Sequence, residues 1–244
     1  MALTVERMSA QPRFAEELEL LFPEGWPGVV PPGQEVKQLV EHAHVYFSSL
    51  EIALLHDELL VGSASAVPIR WNGEPSDLPR GYTDTLSRAV VDFGSGIEPD
   101  TMAIMTTHVR PDMRGRGLIA ELLIGLRELA DELGFDQVIA PVRPASKALY
   151  PLTPIETFSA WTEPDGAPLD QLVRTHWRLG ARIIATSPES ISMTATVSEW
   201  ETWTKLDLLS SGDYIIPDGL SILSVDMNQD CGTYIEPSIW MHHR

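Results

Sequence analysis

The chain has 244 residues, 43% of them hydrophobic, and a formal net charge of −18 from 17 Lys and Arg against 35 Asp and Glu. At ~100–200 residues per domain this is apolar material for one large domain. The charge excludes non-specific nucleic-acid binding, which rests on neutralising phosphates with Lys and Arg, and it favours a cationic or amine ligand. Cys231 is the single cysteine, so an internal disulfide is impossible and a reducing cytoplasm is the expected home. The opening MALTVERMSAQPRF has no apolar core. No run approaches the ~18 apolar residues of a membrane span, so a soluble, cytoplasmic protein without a membrane segment is expected.

In chain order, residues 15–22 (AEELELLF) read as a short amphipathic helix, and 23–33 (PEGWPGVVPPG) as a loop carrying Trp26. Residues 34–47 read as a second helix. Residues 50–55 and 59–71 read as antiparallel strands joined tightly, and Asn72-Gly73 is a turn. Residues 82–93 are expected to be helical and 101–109 a strand. Strand alternation places Met105 and Thr107 on one face, Thr106 and His108 on the other. Residues 118–133 carry apolar side chains at 3.6-residue spacing and stop at Gly134, followed by a strand over 137–142. A short helix is expected over 143–150, an ordered loop over 152–170, a helix over 171–179, and strands near 182–185, 190–197, 221–227 and 233–242. Trp200, Trp203 and Trp240 read as packing residues. No internal repeat or break in composition marks a second domain. The expectation is therefore one domain over 1–244, with an elaborated extension from about 151.

The stretch 105–144 organises the rest. Its turn carries Arg114, Gly115, Arg116 and Gly117, so the following helix opens with bare N–H groups beside positive charge, an anion site by construction. Residues 115–120 satisfy the pattern GxGxxG/A, the reading of which is a dinucleotide-dependent oxidoreductase. That site wants an acid at the end of the next strand, whereas Asp136 stands at its start.

Residues 109–118, VRPDMRGRGL, resemble motif A of the Gcn5-related N-acetyltransferase (GNAT) superfamily, in which a strand, an (Arg/Gln)-x-x-Gly-x-(Gly/Ala) turn and a helix cradle the pyrophosphate of acyl-CoA. Arg114 and Gly117 fall on the first two fixed positions, and Ile119 stands where Gly or Ala is usual. RPASKALY, residues 143–150, is similar to the family's Asn-x-x-Ala-x-x-Leu-Tyr segment. Leu149 and Tyr150 match it, with Arg143 for Asn and Ser146 for Ala.

The resemblance implies an α/β fold: a mixed, mostly antiparallel sheet with helices on both faces, split near Val109 and Val142, with an extended C-terminal β-rich part. It implies acetyl-CoA or another acyl-CoA as cofactor, contacted by Val109, Arg110, Arg114, Gly115, Arg116, Gly117, Leu118, Ile119 and Ser146, and direct acyl transfer to the amine of a small molecule. A backbone N–H near Val109 would polarise the thioester, and a Tyr would protonate the leaving thiolate. Tyr150 is the candidate for that acid. Aligning Leu179-Gly180-Ala181 with the family's Leu-Gly-Phe strand instead puts His176 in its place. A second possibility is an acyl-CoA-binding or regulatory protein of the same fold without turnover.

From the residues themselves, His108 is the candidate base, since an imidazole with an ordinary pKa of ~6.5 takes protons near neutrality. Arg110, Arg114, Arg116 and Lys147 are the cations available to phosphates. No metal site is expected: His42 and His44 diverge on a helix, and neither they nor His242-His243 has a third ligand. Acidic surroundings argue against a reactive thiolate at Cys231. The tail leaves pairing with a second copy open.

Overall fold

The structure is a computed structural model that describes residues 3–11, 13–14, 17–18, 31 and 33–244. Its strands are β1 (Leu3–Arg7), β2 (Glu51–His56), β3 (Leu59–Ile69), β4 (Thr101–Val109), β5 (Gln137–Val142), β6 (Arg182–Ala195), β7 (Gly212–Ile215), β8 (Ile222–Asp226) and β9 (Cys231–His242). Its helices are α1 (Gln34–Phe47), α2 (Tyr82–Gly94), α3 (Leu118–Leu133), α4 (Ile155–Ser159), α5 (Gln171–Arg178) and α6 (Val197–Thr204). The helix expected over 15–22 and the Trp26 loop lie outside the described residues, apart from 17–18, 31 and 33. None of the described helices is long and apolar enough to cross a membrane.

Local chemistry explains the helix bounds. α3 runs between Gly117 and Gly134, both left-handed, as the periodicity predicts, and buries Leu122, Leu123, Leu126 and Ala130 completely. α5 is capped by Asp170, whose carboxylate accepts from the N–H groups of Leu172 and Val173. α6 opens on a capping box of Thr196 and Glu199. It places Trp200 in the core, its indole donating to the Gly232 carbonyl at 2.9 Å. Gly232 is required there, because a Cβ would lie 2.4 Å from the Trp200 ring.

Among the described residues, nine strands form one sheet in the order β1-β2-β3-β4-β5-β9-β8-β7, with β6 also paired to β9. All pairings are antiparallel except β4 with β5. This is the mixed, mostly antiparallel sheet expected. It is not the doubly wound parallel sheet that a dinucleotide pattern serves, so the oxidoreductase reading falls. The two strands expected near 182–185 and 190–197 are one long β6 with irregular register between Ser187 and Ile191. β1, β7, α4 and α6 are additions to the expected elements.

The β4–β5 pairing covers only Thr101–Ala103 against Gln137–Ile139. Beyond it β4 stays with β3, while Ile139–Val142 pairs with β9. The two parallel strands therefore diverge into a wedge, open at Val109 and Val142 as the resemblance implies. A bulge at Met105, between the pairs Ser65–Thr106 and Ala66–Ile104, lies at the point of divergence. It breaks the expected alternation at Met105, while Thr106 and His108 keep a common face.

Candidate functional site

The turn between β4 and α3 is built to leave donors free. Gly115 and Gly117 hold φ of +77° and +79°, and no side chain caps the helix start. Among the described residues, no backbone acceptor outside the helix takes the N–H groups of residues 115–119. Leu118 is buried and Ile119 packs against the core, while their N–H groups, like all those of a first helical turn, point out of the helix start toward the turn. Arg114 and Arg116 are exposed and enter no ion pair among the described residues. Arg110 is different: its guanidinium grips Asp112 through two bonds of 2.9 and 2.7 Å. The positive end of a sixteen-residue helix, free amides and two unpaired guanidiniums thus meet at one spot. Nothing lies within 4 Å of a Cβ at Gly117, so its need for glycine is conformational. Gly117→Ala should therefore cost about 1 kcal/mol in urea unfolding; a neutral result would mean the turn relaxes without strain.

The β4 edge of the wedge follows from strand parity. Arg110 N–H donates to the Val61 carbonyl, so the amides of residues 108 and 106 also face β3. Those of Thr107 and Val109 face the wedge. On the sheet surface, Gly62 and Ile52 meet α3. Ser63, Ser65, Thr106 and His108 lie on the opposite face, which at β2 is covered by Phe14 and Leu18 over Ala53, Leu55 and Leu60. The Ser65 and Thr106 hydroxyls share a 2.7 Å hydrogen bond. His108 is half-buried, and burial, followed by the positive charge of Arg114, lowers its pKa. That keeps the imidazole neutral and able to accept a proton.

The segment 143–150 follows β5 out of the wedge as a short 3-10 turn, Lys147–Leu149, rather than the expected helix. Tyr150 is 40% exposed, its ring edge-on to Trp161 at 4.9 Å. Two expectations need correcting. Ser146 gives both its N–H and hydroxyl to Asp170 at 2.7 Å, so its hydroxyl is committed within the fold. Lys147 is buried, with its ammonium on two backbone carbonyls, so it does not reach a phosphate.

His176 is not placed to serve as the acid. It is buried in α5, Nδ1 lying 2.9 Å from Nε2 of His243. His243 N–H donates to Val138, at the closed end of the wedge, ~13 Å along β5 from Val142 at ~3.3 Å per residue. Burial, and then His243, lower the His176 pKa to about 3, so near neutrality it is a neutral imidazole with no imidazolium proton to donate. Sequence spacing missed the His pair because its members are 67 residues apart.

No protein-family model matches the chain. It is 26% identical over 224 residues to arginine N-acetyltransferase avaD of Aspergillus versicolor, covering 81% of this chain and 77% of that protein. Among solved structures it resembles the loading GNATL domain of CurA from Lyngbya majuscula, with a TM-score of 0.62 and 14% identity over 100% of this chain and 98% of that one. It also resembles the GphF GNAT-like decarboxylase in complex with isobutyryl-CoA, with a TM-score of 0.54 and 16% identity over the same shares. The fold is GNAT-like.

Proposed function

We propose that this chain is a GNAT-type acyltransferase that moves an acyl group from acetyl-CoA or a longer acyl-CoA directly to the amine of a small molecule. The observation that carries it is the union of an uncapped, arginine-flanked helix start with a wedge of unpaired strand edge directly before it. In this assignment the amides of residues 115–119, with Arg114 and Arg116, take the pyrophosphate, and the pantetheine arm enters between β4 and β5. The Val109 amide polarises the thioester carbonyl. His108 takes a proton from the ammonium, and the free amine attacks the carbonyl carbon. As the C–S bond breaks, Tyr150 protonates the thiolate, and the proton that the attacking nitrogen sheds on becoming an amide restores the phenol. The relative that acts on arginine, together with the net charge of −18, supports a cationic small-molecule acceptor. The isobutyryl-CoA held by the GNAT-like decarboxylase makes acyl groups longer than acetyl part of the test. Residues 1–244 act as one domain in this assignment, and the lone Cys231 suits the cytoplasm.

The test is thermal unfolding with acetyl-CoA, longer acyl-CoAs, free CoA and NADPH. A ligand at ~100 times its Kd adds about 2.7 kcal/mol. Stabilisation by a CoA species and its loss in Arg114→Glu are expected. Indifference to every CoA species would reject the assignment.

A further inference from the structure

The segment that carries Tyr150 is fastened at three points, each to a different part of the chain beyond it. Arg143 Nε donates to Glu236 of β9 at 2.7 Å and its Nη2 to the Asp218 carbonyl at 3.1 Å. Ser146 is held by Asp170 at the start of α5. Lys147 Nζ donates to the Leu220 carbonyl at 2.6 Å and to the carbonyl of Tyr150 itself at 2.7 Å. Tyr150 N–H in turn donates to the Lys147 carbonyl at 2.8 Å, so the two residues clasp each other.

Lys147 is the unusual member. It is 1% exposed, the Phe158 ring lies 5.9 Å from Nζ, and no carboxylate of the described residues lies within ion-pair distance. Burying an ammonium on neutral carbonyls carries a desolvation cost that an apolar side chain of the same length would avoid. What the ammonium supplies instead is direction, because it fixes two carbonyls, one of them on Tyr150, against the loop between β7 and β8.

We propose that Lys147 is a positioning residue that locks the backbone of Tyr150 to the C-terminal β-rich extension, so that the extension serves to aim the proton donor of the transfer. The kinetic part rests on Tyr150 being the acid of the proposed function; the positional part does not.

Two measurements separate them. In the first, the protein is labelled with fluorotyrosine, and the Tyr150 resonance is assigned by its loss in Tyr150→Phe. Lys147→Met should shift that resonance toward the free amino acid and leave those of Tyr46 and Tyr82 in place; Lys147→Arg should restore it. An unmoved Tyr150 resonance overturns the proposal. In the second, kcat and KM are measured with acetyl-CoA and a panel of small cationic amines beginning with arginine. Tyr150→Phe and Lys147→Met should each lower kcat at least tenfold with KM for acetyl-CoA within twofold, and the double variant should be no worse than Tyr150→Phe. Losses that multiply, or full kcat in Lys147→Met, overturn the coupling. Full kcat in Tyr150→Phe sinks the acid assignment instead, and the fluorine spectrum then decides the positional claim alone. If Lys147→Met does not fold, Lys147→Gln, whose side chain is one bond too short to hold both carbonyls, is judged by the same outcomes.

Discussion

Glu236→Leu should destabilise the protein by about 3 kcal/mol, the low end of the range for stranding one member of a buried ion pair. The Glu236 side chain is 5% exposed and that of Arg143 27%, so water compensates part of the loss on the arginine side. Glu236 also accepts from the Tyr234 hydroxyl at 3.0 Å, while that hydroxyl accepts from the Leu220 N–H at 2.7 Å. Burial, and then the Glu236 charge, raise the Tyr234 pKa, so the phenol stays a donor. Leucine in place of Glu236 therefore leaves both a guanidinium and a phenol without their acceptor. Urea unfolding is the measurement, and Arg143→Met combined with Glu236→Leu should recover part of the loss, because the guanidinium is no longer stranded while the Tyr234 hydroxyl still lacks its acceptor. A single Glu236→Leu variant as stable as the wild type would mean the pair is open to water.

Acidification should weaken the fold well before carboxylates are protonated in bulk. His176 and His243 contact each other in the interior with pKa values of about 3 and about 4. Burial is the main cause in both. For His243 the charge of Arg127 follows. An unfolded imidazole titrates near 6.5, so between about 6.5 and 4 the unfolded chain binds protons that the folded chain refuses. Stability is accordingly level with respect to these groups above pH 6.5, and falls as pH drops through that window. Each group contributes about 1.4 kcal/mol per pH unit where its two states differ fully in protonation, so the pair should lose on the order of 4 kcal/mol between pH 7 and 4.5. His108, lowered by burial and Arg114, pulls in the same direction. Urea midpoints measured across pH 5 to 7 test this. The His243→Gln variant should show a shallower slope. A wild-type midpoint that does not move between pH 7 and 5 would contradict the burial of the pair.

The anion turn and its flanking elements were legible because their signals are local. α3, β4 and β5 have the bounds that spacing predicts, since periodic apolar residues and glycines at left-handed ends act over a turn or two of chain. The capping box Thr196-x-x-Glu199 was equally local, yet residues 190–197 read as strand and the helix behind the box was passed over. β1 gave little signal: among the described residues it pairs with β2 alone, and Leu3 and Val5 remain partly exposed.

What the sequence by itself determined was therefore the backbone of the cofactor turn: where a strand stops, where free amides point, and which glycines permit it. The tertiary structure decided the fate of the polar side chains. Lys147 reads as a phosphate ligand until the Leu220 carbonyl arrives from 73 residues away. Arg143 acquires Glu236 across 93 residues, and His176 acquires His243 across 67. A helix or turn is specified by neighbours along the chain. The charge and direction of a buried polar group are set by whichever partners the sheet brings beside it, and those partners lie too far along the sequence for spacing to show.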